Sequence, residues 1–434
     1  MDPTRILTVV CTAAMLVAGS AVLAADPAAA VSQPGWSAEE LNILIIGDSN
    51  TEMGHIASGL NTLLKEQFGD SGSGYVPMHD GKLGVLLPKT IAVRNDDGWK
   101  KFDMFDGHRL PPPYLAPDGN WVTSVRAGVT TTVTFTGAAI DIYWLGQPEG
   151  GAIQVVLDGE PGKPISTAAP TLAVHKTNIP SPKAGDHVLT LTAGDGKVTL
   201  VGADALAGAG NRRAVVHKWG NGFATTKDFL AIEEGILRTG LEELNPQVLV
   251  LLLGTNDHNI DKSSPEAFES QLVQLLERIK KAVPKATIVL TSTFATNTDA
   301  ARTLLPKYLT TAYPNAAQKA GVFYWDMSTW FGAFNRQRMV DNYHCNAEGG
   351  KLIATEMFAQ ITKACEAQIR RRRQPRADEP FKGHQGGREG STARRVNAQG
   401  SWKYGTGRSS CWRAASQSSV SLPWHLGQAR LRQE

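Results

Sequence analysis

Apolar residues recur along this chain in two distinct rhythms. From Leu41 the stretch LNILIIGDSN is continuously apolar up to a Gly-Asp-Ser turn, the pattern of a parallel strand buried on both faces. Residues 55–68 then place Ile56, Leu60, Leu63, Leu64 and Phe68 at helical spacing, which predicts an amphipathic helix. The same grammar returns after residue 210. Val248–Leu253 reads as a buried strand, Pro265–Ala282 as an amphipathic helix, and Thr287–Thr291 and Val322–Trp325 as further strands. Alternation of this kind implies an α/β fold with a central parallel sheet covered by helices on both faces.

Between these segments the period falls to two. WVTSVRA, TTVTFTG, IDIYWLG, IQVVLDG, HVLTLTAG and KVTLVGA lie within residues 121–206, punctuated by Gly, Asp and Pro, as in an antiparallel β-sandwich. Residues 89–206 are therefore expected to form a β domain inserted into an α/β domain, which it divides into residues 41–88 and 207–369. Surface loops accept long insertions at small entropic cost.

Both ends fall outside these rhythms. Residues 6–24 form an apolar stretch behind Arg5 that closes on small residues, so residues 1–24 read as a secretory signal peptide and 25–40 as a linker. The expected location is secreted or periplasmic. No later run approaches 18 apolar residues, so no further membrane span is expected. Residues 370–434 carry 14 Lys and Arg against 4 Asp and Glu with no apolar period, and are expected to be a disordered basic tail. Because the net charge of the whole chain is only +3, the remainder is acidic. It offers no footprint for specific nucleic-acid binding. With 42% hydrophobic residues in 434, the chain has ample material for a packed core. Cys345 and Cys365 flank one predicted helix whose ends lie roughly 25 Å apart, too far for a disulfide. Together with Cys411 they leave an odd number of thiols outside the leader, and Cys345 is expected to pack as a small hydrophobe.

Three short motifs carry candidate chemistry. Ser49 follows a buried strand directly and precedes a helix, a position that suits a nucleophile close to helix-start amides and equally an N-cap. Asp341 and His344 stand three apart before the last helix. One loop could present an imidazole base with a carboxylate at its other ring nitrogen, or simply hold a salt bridge. Asn256, in Gly254-Thr255-Asn256-Asp257, lies where strand ends of an open parallel sheet converge on a ligand crevice. Its amide could donate to an oxyanion, or serve as a turn or cap. The glycine-rich stretch from Trp219 to Thr225 offers further backbone donors.

GDSNT, the glycine block WGNGFATT, GTND and DNYH, in this order, resemble the SGNH (GDSL-type) hydrolase superfamily over about 210 residues in two pieces. The resemblance implies a three-layer αβα sandwich and a serine esterase mechanism. Ser49 would be the nucleophile, His344 the base and then the acid, and Asp341 the group that orients the imidazole. The oxyanion hole would comprise the Ser49 amide, the Gly222 amide and the Asn256 side chain, with Gly220 as the alternative glycine because the spacing GNGFATT departs slightly from the family pattern. Trp219 and Asp257 would contact substrate. No cofactor and no metal are implied: H-E-x-x-H, paired-cysteine and phosphate-loop motifs are all missing from the sequence. GDSGSGYVPM, at residues 69–78, and an inserted jelly-roll-like module resemble peptidoglycan O-acetylesterases. On that basis Trp99, Trp121, Tyr143 and Trp144 are candidates for stacking on sugar rings. Three functions follow. The first is an exported deacetylase of an O-acetylated glycan, the second a broad short-chain carboxylesterase or arylesterase, and the third a glycan-binding protein with an inactive hydrolase body.

Overall fold

A computed structural model describes residues 40–80, 85–106, 108–208 and 213–373. The expected signal peptide, the linker up to residue 39 and the tail from residue 374 lie outside the described residues. The tail was expected to begin at residue 370, but the last helix runs Ala347–Arg373. Arginine has a high intrinsic helix propensity, so the run that begins at residue 370 continues the helix for a further turn.

Five parallel strands form the first sheet, in the spatial order Arg213–Gly220, Glu40–Gly47, Val248–Leu252, Thr287–Thr291 and Phe323–Trp325. Strand periodicity of two splits their apolar residues between two cores. Leu44, Ile46, Leu249, Leu251 and Leu290 pack beneath the helices Glu234–Leu244, Pro265–Ala282 and Tyr313–Ala320. Ile43, Ile45, Val248, Val250 and Val289 face the helices His55–Phe68 and Ala347–Arg373. Helices thus cover both faces, as the alternating pattern predicts.

Arg213–Gly220 is a strand that the pattern did not disclose. Its run RAVVHKWG is broken by charge because this strand forms the sheet edge. The residue that interrupts the apolar sequence, His217, is buried and accepts the Tyr75 amide at Nδ1 (3.0 Å).

The intervening segment builds a ten-stranded sheet whose long members pair antiparallel. TTVTFTG and IDIYWLG are not separate strands: they are one strand, Thr130–Gly146. Its partner, Ala173–Ala193, is longer still and absorbs Pro180 and Pro182 at an irregularity in the register between Pro180 and Gly185. The sheet also recruits Val76–Pro77, ahead of residue 89, against Val198–Leu206. One face has its own core, with Ile140, Ile142, Leu189 and Leu191. Tyr143, Leu145, Val174 and Trp121 instead join the core of the parallel sheet. Hydrogen bonds from the Val174 amide to Thr239 Oγ1 and from Lys176 Nζ to the Glu243 carbonyl, both 2.8 Å, fasten this sheet to the Glu234–Leu244 helix.

That packing corrects the sugar-stacking expectation. Trp99, Trp121 and Tyr143 are buried; only Trp144 remains partly accessible, and one of its faces is stacked on His175 at 4.7 Å. Large rings on a sheet that is apolar on both faces gain more from burial than from waiting for a ligand.

Candidate active site

Three adjacent strands end at the same level and launch the candidate groups. Gly47 pairs with Gly220 on one side and Leu252 on the other, so Ser49, Gly222 and Asn256 all emerge just beyond the carboxyl edge of the sheet. Close approach fixes two glycines here. A Cβ on Gly47 would sit 2.2 Å from Thr51 Oγ1, and one on Gly220 would lie 2.3 Å from the Glu52 amide nitrogen. The serine helix, Ser49–Met53, can therefore settle directly on the strand ends. Asp48 caps it by accepting the Asn50 amide at 3.0 Å. Burial raises the Asp48 carboxyl above its ordinary value, with the Asn50 and Thr255 hydrogen bonds and the nearby His344 opposing the rise.

From the far end of the sequence, the loop before the last helix closes on the serine. Met339 bridges to Cys345 and the Val340 amide donates to the His344 carbonyl at 2.8 Å, which makes the loop a tight hairpin. His344 Nε2 lies 2.8 Å from Ser49 Oγ, and His344 Nδ1 lies 2.7 Å from Asp341 Oδ2. The other Asp341 oxygen accepts the amides of Tyr343 (2.7 Å) and His344 (2.8 Å). Burial acts to raise the Asp341 carboxyl, but the His344 hydrogen bond and these amides outweigh it and hold the group below the ordinary carboxylate range. A carboxylate at Nδ1 favours a proton there and leaves Nε2 to accept the proton of the serine hydroxyl.

Asn50, which no sequence motif singles out, is fixed between these parts. Its buried side chain donates to the Tyr343 carbonyl (3.2 Å) and accepts the Cys345 amide (3.2 Å). It thus grips the backbone on both sides of His344. Nothing in local periodicity discloses this, because the partners lie 293 and 295 residues away.

The expected amide donors come from the two strands that flank the one leading to Ser49. Gly222 belongs to a turn closed by a hydrogen bond from the Ala224 amide to the Asn221 carbonyl (3.3 Å), and the Asn221 amide donates to the Gly47 carbonyl (3.3 Å). Asn256 Nδ2 uses one hydrogen on the Ala224 carbonyl (3.0 Å), which aims the amide along this turn and leaves its second hydrogen available.

Two expected substrate contacts are not surface groups. Trp219 is 1% exposed and packs edge-on against Tyr75 in the core. Asp257 is 0% exposed; its Oδ1 accepts the Thr226 amide (3.0 Å) at the start of the helix Thr226–Leu230. Burial lifts the Asp257 carboxyl to about 7, against the opposing hydrogen bonds from Thr226. An alternating strand points Trp219 into the sheet's own core, and an acceptor for a helix-start amide is a structural demand met before any ligand arrives. Cys345 and Cys365 are buried and form no disulfide, and burial pushes the Cys345 thiol up to about 12. Among the described residues no helix is long and apolar enough to cross a membrane.

Residues 191–352 match the GDSL-like Lipase/Acylhydrolase family; the match contains Asn256, Asp341 and His344, while Ser49 precedes it because the inserted sheet intervenes. The fold is similar to that of a peptidoglycan O-acetylesterase, at 17% identity and a TM-score of 0.60 over 77% of this chain and 93% of that one. A family two carbohydrate esterase from Clostridium thermocellum, in complex with cellohexaose, aligns at 16% identity and a TM-score of 0.30 over 62% of this chain and 99% of that one. No protein of curated function matches the sequence. In its fold and in the sequence of residues 191–352 the chain resembles the GDSL-type, or SGNH, hydrolases.

Proposed function

We propose that the protein is an exported serine esterase that removes O-acetyl groups from a polysaccharide through an acetyl-enzyme. The observation that carries this reading is the unbroken hydrogen-bonded chain from Ser49 Oγ through His344 to Asp341. Ser49 Oγ attacks the acetyl carbonyl carbon while its proton passes to His344 Nε2, and Asp341 stabilises the imidazolium that forms. The tetrahedral oxyanion is held by the Ser49 amide, the Gly222 amide and the free hydrogen of Asn256 Nδ2. Collapse expels the sugar hydroxyl, which takes the proton from His344. Water, deprotonated by His344, then releases acetate and restores the serine.

The substrate class is supported by the fold shared with a peptidoglycan O-acetylesterase. We read the antiparallel sheet as a sandwich closed around its own apolar face, a module that widens the surface next to the site for a polymer.

Acetate release from O-acetylated peptidoglycan, acetylated xylan and 4-nitrophenyl acetate, beside Ser49→Ala, tests the reading. A higher kcat/KM for a glycan, lowered by about four orders of magnitude in Ser49→Ala, is the expected result. Turnover of the aryl ester alone would establish a general carboxylesterase instead.

A further inference from the structure

The turn that carries Gly222 contains an anomaly. Gly222 and Phe223 are its two central residues, and Phe223 is the one with a left-handed backbone, at φ 61°. A glycine normally takes that conformation, because a Cβ crowds the following carbonyl. Here a phenylalanine occupies it, and Phe223 is 53% exposed, one of the most exposed large hydrophobic residues among the described residues. Strained, solvent-facing aromatics are retained where surrounding structure enforces them, commonly at functional sites.

The enforcing structure comes from the inserted segment. Phe105 stacks on Phe223 with ring centroids 4.5 Å apart and an interplanar angle of 25°. Two residues earlier in the turn, Asn221 Nδ2 donates to the carbonyl of Asp118 (3.4 Å), another inserted residue. On the opposite side the turn rests against the serine helix, since a Cβ on Gly222 would lie 3.0 Å from Glu52 Oε2. The insert and the serine helix therefore grip the same turn between them, and Phe223 projects from it.

We propose that Phe223, braced by Phe105, is a specificity-determining platform that stacks on the apolar C–H face of the sugar ring bearing the ester. This rests on the deacetylase reading above. An acetyl group is small and its carbonyl is directed at the Gly222 amide, so the bulk of the substrate at the adjoining residue is the alcohol portion. A flat, rigid ring held from behind recognises such a face at low entropic cost. The role is also one that links the insert to the chemistry without placing any inserted residue on the reacting atoms.

The test compares O-acetylated chito-oligosaccharide with ethyl acetate for the wild type, Phe223→Gly, Phe105→Ala and Phe223→Trp. The ratio of kcat/KM for the sugar ester to that for ethyl acetate should fall about tenfold in Phe223→Gly and in Phe105→Ala, through KM, and be restored in Phe223→Trp. Phe223→Gly should also keep or raise Tm, because glycine relieves the left-handed backbone, whereas a merely structural ring would lower it. An unchanged ratio, or a parallel fall for both esters, overturns the platform while leaving the deacetylase reading intact. A change in preference between acetate and longer acyl esters overturns it too, since the ring would then read the acyl side. A wild type that leaves every acetylated sugar untouched removes the substrate reading and this inference with it.

Discussion

At the scale of single residues, positioning decides the chemistry. Asn50 makes no contact with a substrate in this account, yet it holds the peptide groups on both sides of His344. Displacing a catalytic base by a fraction of an ångström is enough to cost up to about 100-fold. Asn50→Ala is accordingly expected to lower kcat for 4-nitrophenyl acetate by about 10- to 100-fold with little change in KM, as read by steady-state kinetics. Asn256→Ala should cost about 100- to 1000-fold in kcat, the usual loss for one oxyanion donor, with folding retained by circular dichroism. Asp257 leads to a different measurement. Its folded carboxyl sits at about 7, above the unfolded value near 4. The stabilising effect of the neutral acid is therefore complete below about pH 4 and is lost as the pH rises through 7, at up to about 1.4 kcal/mol per pH unit. Asp257→Asn still offers an oxygen to the Thr226 amide and should flatten that decline, as followed by urea unfolding between pH 4.5 and 8; an identical slope in the variant would assign the dependence to another group.

Among the elements, what was legible followed from burial. Glu40–Gly47, Val248–Leu252 and Thr287–Thr291 are covered on both faces, so their apolar runs are continuous and readable. The helices His55–Phe68 and Pro265–Ala282 each bury one stripe and show it as spacing. Arg213–Gly220 lacked the signal because an edge strand can carry Lys218 and a hydrogen-bonded His217. The merger of two short runs into Thr130–Gly146 was hidden for another reason: Gly137, a turn signal in sequence, sits inside the strand because a Cβ there would meet the Leu206 carbonyl oxygen at 2.5 Å. Of the candidate site, Ser49, Asp341 and His344 were legible because each lies at a strand end or a helix entrance. Asn50, Phe105 and Phe223 were not, because their roles depend on partners distant in sequence. Trp219 illustrates the converse error, a ring in a motif taken for a ligand contact. Trp219→Ala should destabilise the protein by about 3–5 kcal/mol in urea unfolding, a far larger effect than a solvent-facing ring would give.

For the whole molecule, the inserted sheet and the parallel sheet share one apolar core, through Trp121, Tyr143, Leu145 and Trp219. An insert fastened in this way is part of the architecture of the catalytic surface, and its contacts to the Asn221–Phe223 turn are the route by which it touches the chemistry. The proposed chemistry converges on one atom, Ser49 Oγ, and can be followed by rapid quenching of the enzyme during turnover of an O-acetylated glycan and peptide mass spectrometry. An acetyl group on the peptide containing Ser49, absent in Ser49→Ala, is the expected result; acetate released at the same rate with no acetylated peptide, or with the acetyl group on another residue, would contradict the proposal.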